Sequence, residues 1–272
     1  MHFKILILLL AAVAMLVACS TDPSEEDQVF DVATRMATIV APDISQDDQD
    51  YFLGHITDNF NVLWGYPSVE ACAADIEGCV GDAPIDPPDK ASITIDEKSS
   101  PVTAEITMTQ TESDPSGETF VLAFVLGLIK VDGVWKFDSI TAGDDEIPSG
   151  TAVVQVELSE MAFGYDETDP GLLSGKFAFD IDNKGEQVHE LVLLKINQDG
   201  SIMELMESEN EEAFEFLGVK VPILPGRSVK MAVPELTAGR YGLICFLPDQ
   251  AAPGGEGAPH MAMGMVSEFT VK

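Results

Sequence analysis

The sequence predicts two folded units, an α+β unit followed by an all-β sandwich. Two observations carry this. Apolar residues recur at helical spacing up to about residue 60, and from about residue 93 they alternate or run as strands. A stretch rich in Gly, Pro and acid, 142–150, then separates one set of strands from the next and reads as an exposed boundary.

In the first unit, Ser24-Glu25-Glu26-Asp27 resembles a capping box, and Val29, Val32, Ala33, Met36 and Val40 follow on one helical face. Pro42 is expected to end that helix. Ser45-Gln46-Asp47-Asp48 is expected to cap a second helix, with Phe52, Ile56, Phe60 and Leu63 in one stripe. His55 lies beside the stripe and reads as a structural histidine. Residues 93–95 and 102–109 alternate, with Ala104, Ile106 and Met108 on one face. Residues 119–131 form a longer apolar strand. Asp132-Gly133 then turns the chain into a strand over 134–140. Helices first and a curved antiparallel meander afterwards is an α+β pattern.

In the second unit, 151–158, 175–181, 189–196, 228–233, 240–246 and 266–271 read as strands, and short strands at this spacing imply a sandwich. Residues 201–217 are acidic, with Ile202, Leu205, Met206, Phe214 and Leu217 apolar, and are expected to form a helical insertion between strands.

Charge narrows the function classes. The chain has 272 residues and a net charge of −33, from 47 acidic against 14 basic residues. Such a chain repels nucleic acid and anionic lipid headgroups, which excludes nucleic-acid binding. Disorder is not implied, since 46% of the residues are hydrophobic. The acidic residues are spread along the chain, so they read as a solvated shell rather than a docking face for a basic partner.

The first 19 residues have the pattern of a leader. Lys4 supplies the basic region, and the apolar run 5–17 is short for a membrane span. The run closes with Leu16-Val17-Ala18-Cys19, which resembles the bacterial lipobox. That resemblance implies that Cys19 is acylated and becomes the mature N-terminus. The mature protein would then be anchored in the cell envelope, on a tether over 20–27. Ser20 follows the cysteine, in place of the aspartate associated with inner-membrane retention, and this favours the outer membrane.

Four cysteines are present. With Cys19 lipidated, Cys72 and Cys79 flank a short loop outside the cytoplasm, where disulfides persist, and are expected to pair. Cys245 is left over. A spare thiol in an oxidising compartment suggests metal binding, a reactive role or deep burial.

Cys245 has company. His189, Cys245, His260 and Met265 together supply two imidazoles, a thiolate and a thioether, the ligand set of a blue-copper electron-transfer site. Singly, each has a plainer reading: Cys245 as a small core residue, His189 as a structural histidine, Met261, Met263 and Met265 as loop packing. The order Tyr241-Gly242-Leu243-Ile244-Cys245-Phe246, Pro259-His260, Gly264-Met265 and a last strand resembles the C-terminal signature of the cupredoxin family, plastocyanin in particular. The stretch from Asn183 to His189 resembles the family's source of its first histidine. The resemblance covers roughly residues 150–272 and implies a Greek-key sandwich that binds copper through these four residues. One spacing departs from the family. Fourteen residues, Gly- and Pro-rich, separate Cys245 from His260, where plastocyanin-like proteins have only a few. Closure entropy rises slowly with loop length, so convergence is not forbidden.

Residues 28–142, ending Lys130-Val131-Asp132-Gly133-Val134-Trp135-Lys136-Phe137, look like the cone of the nuclear-transport-factor-like (SnoaL-type) superfamily. That resemblance implies a cone that holds a small molecule or mediates dimerisation. Some members use an Asp–His pair for proton transfer, but Asp58 and His55 do not form one by spacing, so no enzyme activity is expected. The division is thus leader 1–19, tether 20–27, cone 28–142, linker 143–150 and sandwich 151–272. The leading function is copper binding and single-electron transfer, with a redox protein as partner. The alternative is a non-metal module, in which the cone binds a ligand or partner and the sandwich is scaffold. The two differ in whether Cys245 and His260 meet around one metal.

Overall fold

The computed structural model describes residues 23–41, 44–61, 66, 68–80, 85–113, 119–208, 210–252 and 257–272. The leader, Cys19, Pro42 and Leu63 lie outside these. Helix α1 (Glu25–Met36) starts at Ser24, whose hydroxyl accepts the Asp27 N–H at 3.1 Å while the Asp27 carboxylate accepts the Ser24 N–H. The cap therefore draws 25–27, assigned above to the tether, into the first helical turn. Val29 and Ala33 are buried on its inner face.

Helix α2 (Gln46–Gly54) is capped by Ser45 but ends before Ile56 and Phe60. The single helical stripe expected through Phe52, Ile56 and Phe60 does not form. Backbone pairing competes with the helix there: Phe137 N–H donates to His55 O and Thr57 N–H to Phe137 O, at 2.8 and 2.9 Å. Phe60 sits on a separate turn, α3 (Asp58–Asn61). Two short helices follow, α4 (Val69–Ala74) and α5 (Ile76–Val80), joined by a Cys72–Cys79 disulfide.

These helices pack on a four-stranded antiparallel meander, ordered β1 (Thr94–Asp96), β2 (Thr103–Ser113), β3 (Thr119–Val131), β4 (Val134–Ala142). Asp132 and Gly133 take φ of 51° and 82°, the left-handed pair that a two-residue type I′ turn needs. Trp135, Phe137, Ile106 and Leu128 form the core beneath the helices.

Two more four-stranded sheets follow. One is ordered β10-β7-β5-β6, from β5 (Ala152–Ser159), β6 (Ala162–Gly164), β7 (Phe177–Asn183) and β10 (Ser228–Ala232). The other is ordered β12-β11-β8-β9, from β8 (His189–Ile196), β9 (Phe214–Ile223), β11 (Gly239–Ile244) and β12 (Val266–Val271). They face each other over one core that includes Val156, Phe179, Leu193, Tyr241 and Phe269. The short helix α6 (Pro170–Ser174) makes the crossover between β5 and β7, which pair in parallel.

The expected helix over 201–217 is only α7 (Ile202–Glu207); Phe214 and Leu217 belong to β9. A strand wins there because its backbone pairs with β8 from Phe214 to Ile223, a long-range gain that periodicity does not register. Helix α7 covers the outer face of β8 through Ile202 and Leu205. Burial on both faces explains why β8 reads as a continuous apolar run, while β5 alternates cleanly.

Across the boundary, the buried Lys220 on β9 donates to Gly143 O and to Asp145 at 2.7 and 2.6 Å. Thr141 donates to Pro222 O at 3.2 Å. His55 is half-buried, stacks on Tyr51 with ring centres 3.9 Å apart, and bonds the Tyr51 carbonyl.

Candidate metal centre

The four residues singled out from the sequence come from three places at one end of the sandwich. His189 opens β8. Cys245 directly follows β11. His260 begins a short 3₁₀ turn (His260–Met263), and Met265 directly precedes β12. All four are fully buried.

The fourteen-residue span is no obstacle, because it closes at its neck. Pro248 and Pro259 form a bridge, and Asp249 N–H donates to Ala258 O at 3.0 Å. His260 N–H then donates to Leu247 O, and Met261 N–H to Cys245 O, both at 2.8 Å. These contacts bring Cys245 and His260 together as neighbours, as if the connection were short. Met265 joins them through the backbone: its N–H donates to His260 O at 2.9 Å, and its carbonyl accepts the Cys245 N–H at 3.3 Å.

The donor atoms converge. His189 Nδ1 lies 3.1 Å from His260 Nδ1, and Cys245 Sγ lies 3.4 Å from the same nitrogen. The nitrogens and sulfur of this trio all fall within 4.8 Å of one another. Met265 shares the buried core with Cys245.

Surrounding groups hold this geometry. Gln187 faces His260 Nε2 at 3.4 Å and accepts the Gln250 N–H at 2.8 Å, while Gln250 accepts the Val188 N–H at 3.0 Å. The two glutamines thus tie the segment after Cys245 to the entry of β8. Glu190 N–H donates to Cys245 Sγ at 3.4 Å, and its carboxylate accepts the Phe246 N–H. Gly185 is needed for close approach: a Cβ there would lie 2.8 Å from His189 Nε2. None of Gln187, Gln250 or Glu190 was singled out from the sequence. Glu190 sits inside an apolar strand, and that misplaced charge was the one available signal.

Burial sets the protonation states. It pulls the His189 imidazole down to about 4, helped by the neighbouring His260, and lowers His260 as well, against the pull of Asp249 and Glu160. Both rings are neutral near pH 7, with lone pairs available. Burial pushes the Cys245 thiol up to about 12 and raises Glu190, whose carboxylate is held back by the Phe246 and Leu247 amides. A thiolate at Cys245 therefore requires a cation beside it. His189 Nε2 is buried without a hydrogen-bond partner, and the ring instead presents Nδ1 to the cluster. Two imidazole nitrogens and one sulfur, buried and convergent, fit a copper ion by number and softness.

No protein-family model and no curated protein matches the chain. Among solved structures, the chain is similar to Na-dithionite-reduced auracyanin from the photosynthetic bacterium Roseiflexus castenholzii. The identity is 18%, with 46% of this chain and 99% of that chain covered and a TM-score of 0.31.

Proposed function

We propose that this chain is an envelope protein, lipid-anchored at Cys19, whose C-terminal sandwich binds one copper ion and transfers single electrons. The observation that carries the reading is the meeting of His189, Cys245 and His260, with their donor atoms within 4.8 Å of one another and fully buried. In this reading the sandwich is cupredoxin-like, and the helices and meander before it form a SnoaL-type cone. The anchor rests on the lipobox pattern at 16–19, and a redox protein of the same envelope is the partner.

Bound copper would supply a one-electron couple. The protein's part is to keep that couple dry and its ligands still. His189 and His260 stay neutral, so no proton competes for their Nδ1 lone pairs. The Glu190 N–H offers Cys245 Sγ a hydrogen bond, which stabilises charge on sulfur. Gln187 fixes the His260 ring, and the closed neck at Pro248 and Pro259 prevents its withdrawal. Ligands that cannot relax between oxidation states lower the reorganisation that accompanies each transfer.

An absorption spectrum of the copper-loaded protein tests this. We expect an intense visible thiolate-to-copper band at one copper per chain, absent in Cys245→Ala. Met265→Leu should keep the band and shift the reduction potential. Copper uptake without the band ends the electron-transfer reading and leaves the scaffold function as the better account. Normal processing of a Cys19→Ala precursor would remove the anchor.

A further inference from the structure

An imidazole that gives its Nδ1 lone pair to a metal must carry its proton on Nε2. For His260 an acceptor is in place, since Gln187 Oε1 faces its Nε2 at 3.4 Å. For His189 none is. Its Nε2 is buried and has no hydrogen-bond partner. A metal-binding histidine almost always donates its second N–H to a carboxylate, a carbonyl or water, which fixes the tautomer and the orientation of the ring. The orphan nitrogen therefore calls for an acceptor.

Two side-chain oxygens stand near it. A Cβ on Gly185 would lie 2.8 Å from His189 Nε2, 2.5 Å from Glu160 Oε1 and 3.2 Å from Asn183 Oδ1. Asn183 is committed elsewhere. Its Oδ1 accepts the Gly185 N–H at 2.9 Å, and its Nδ2 donates to Gln187 O and Ile223 O at 2.9 and 2.8 Å, which holds the amide in place. Glu160 has more freedom. It lies in the tight turn between β5 and β6, where Ser159 pairs with Ala162, and it is exposed. Its Oε1 accepts the Glu186 N–H, and a carboxylate keeps further acceptor capacity beyond one bond. Burial lowers both imidazoles, and the charge of Glu160 opposes that in each of them.

We propose that Glu160 is a positioning residue of the metal centre, whose carboxylate accepts the His189 Nε2 proton when Nδ1 holds the metal. This rests on the copper reading. A turn of one sheet would then steady a ligand carried by the other. Gly185 would be the point that lets them meet, because a side chain there would crowd both atoms. Negative charge behind a ligand favours the higher oxidation state of the metal and so lowers the reduction potential.

The test uses the full chain with isotope-labelled histidine, loaded with Cu(I), which is diamagnetic and keeps the resonances sharp. We expect the His189 proton on Nε2, shifted downfield by a charged acceptor. Glu160→Gln keeps an oxygen for the Glu186 N–H but removes the charge. It should move the His189 proton upfield, leave the His260 Nε2 proton where it is, and raise the reduction potential. Glu160→Ala should weaken Cu(I) binding about tenfold against a chelator, and the Gln variant should recover most of that loss. A role limited to anchoring Glu186 would weaken binding without singling out the His189 proton. An unmoved His189 proton in Glu160→Gln, or unchanged affinity in Glu160→Ala, overturns the proposal and leaves the copper reading standing. A wild type that takes up no Cu(I) overturns the copper reading itself, and the acceptor role with it.

Discussion

The two halves of this protein treat their interiors in opposite ways. The N-terminal half lays helices over one sheet and leaves a half-open, largely apolar cavity of about 490 Å³. The C-terminal half presses two sheets together into a filled core and places its buried polar donors at one end. A single sheet roofed by short, irregular helices has too few side chains to fill its concave face. Two facing sheets interdigitate their inner side chains across one core. Hollow apolar walls suit a ligand held by shape, while a filled shell suits donors that must not move.

Mutating the two cores measures the contrast most directly. Leu158, fully buried in the sandwich, should cost about 3–5 kcal/mol on change to alanine, because the packed surroundings cannot collapse. Leu122, half-buried at the cavity wall, should cost only about 1 kcal/mol, since the space it would vacate is already open. Urea unfolding of the two variants compares them. Equal losses would erase the distinction between hollow and filled.

The disulfide sharpens it from the other side. Replacing both Cys72 and Cys79 by alanine should remove about 2–3 kcal/mol on the loop-entropy relation. The loss should fall on the N-terminal half and leave the copper spectrum unchanged. A spectral change on losing the bridge would mean that the halves are more tightly coupled than their separate cores imply.

Acid should act on the filled half. The imidazole of His189 is held at about 4 in the folded chain against about 6.5 when unfolded. The unfolded chain therefore binds the proton first as pH falls. Stability is complete above about pH 6.5 and is lost progressively as pH drops toward 4. Between pH 7 and 5 the metal-free protein should lose about 2 kcal/mol from this group. His189→Gln should flatten that part of the profile, and an identical slope in the variant would disprove the assignment.

The smallest effect is a single methyl group. Gly185→Ala sets a Cβ 2.8 Å from His189 Nε2 and 2.5 Å from Glu160 Oε1. The histidine must shift, and copper affinity should fall about tenfold, in line with changes to groups that support metal ligands. Competition with a copper chelator reads this. Unaltered affinity would show that the ring has room the structure does not give it.

What was legible from the residues was what is local. The capping box at Ser24, the Asp132-Gly133 turn and the strands 189–196 and 266–271 depend on neighbours a few positions away, and each forms as expected. The donor chemistry of His189, Cys245, His260 and Met265 was equally readable, since residue type alone sets which atoms a side chain can offer. Placement was another matter. Residues 214–217 became strand rather than helix, and α2 stopped at Gly54, because distant backbone pairing outweighed local periodicity. The long spacing before His260 looked like a defect in the sequence. The Pro248–Pro259 bridge brings its two ends together. The cavity and the burial of Glu190 have no counterpart in any short window. The sequence by itself determined which elements could form and which atoms could bind a metal. Only the tertiary structure decided that those atoms meet, because convergence depends on hydrogen bonds between segments tens of residues apart, and no local propensity encodes them.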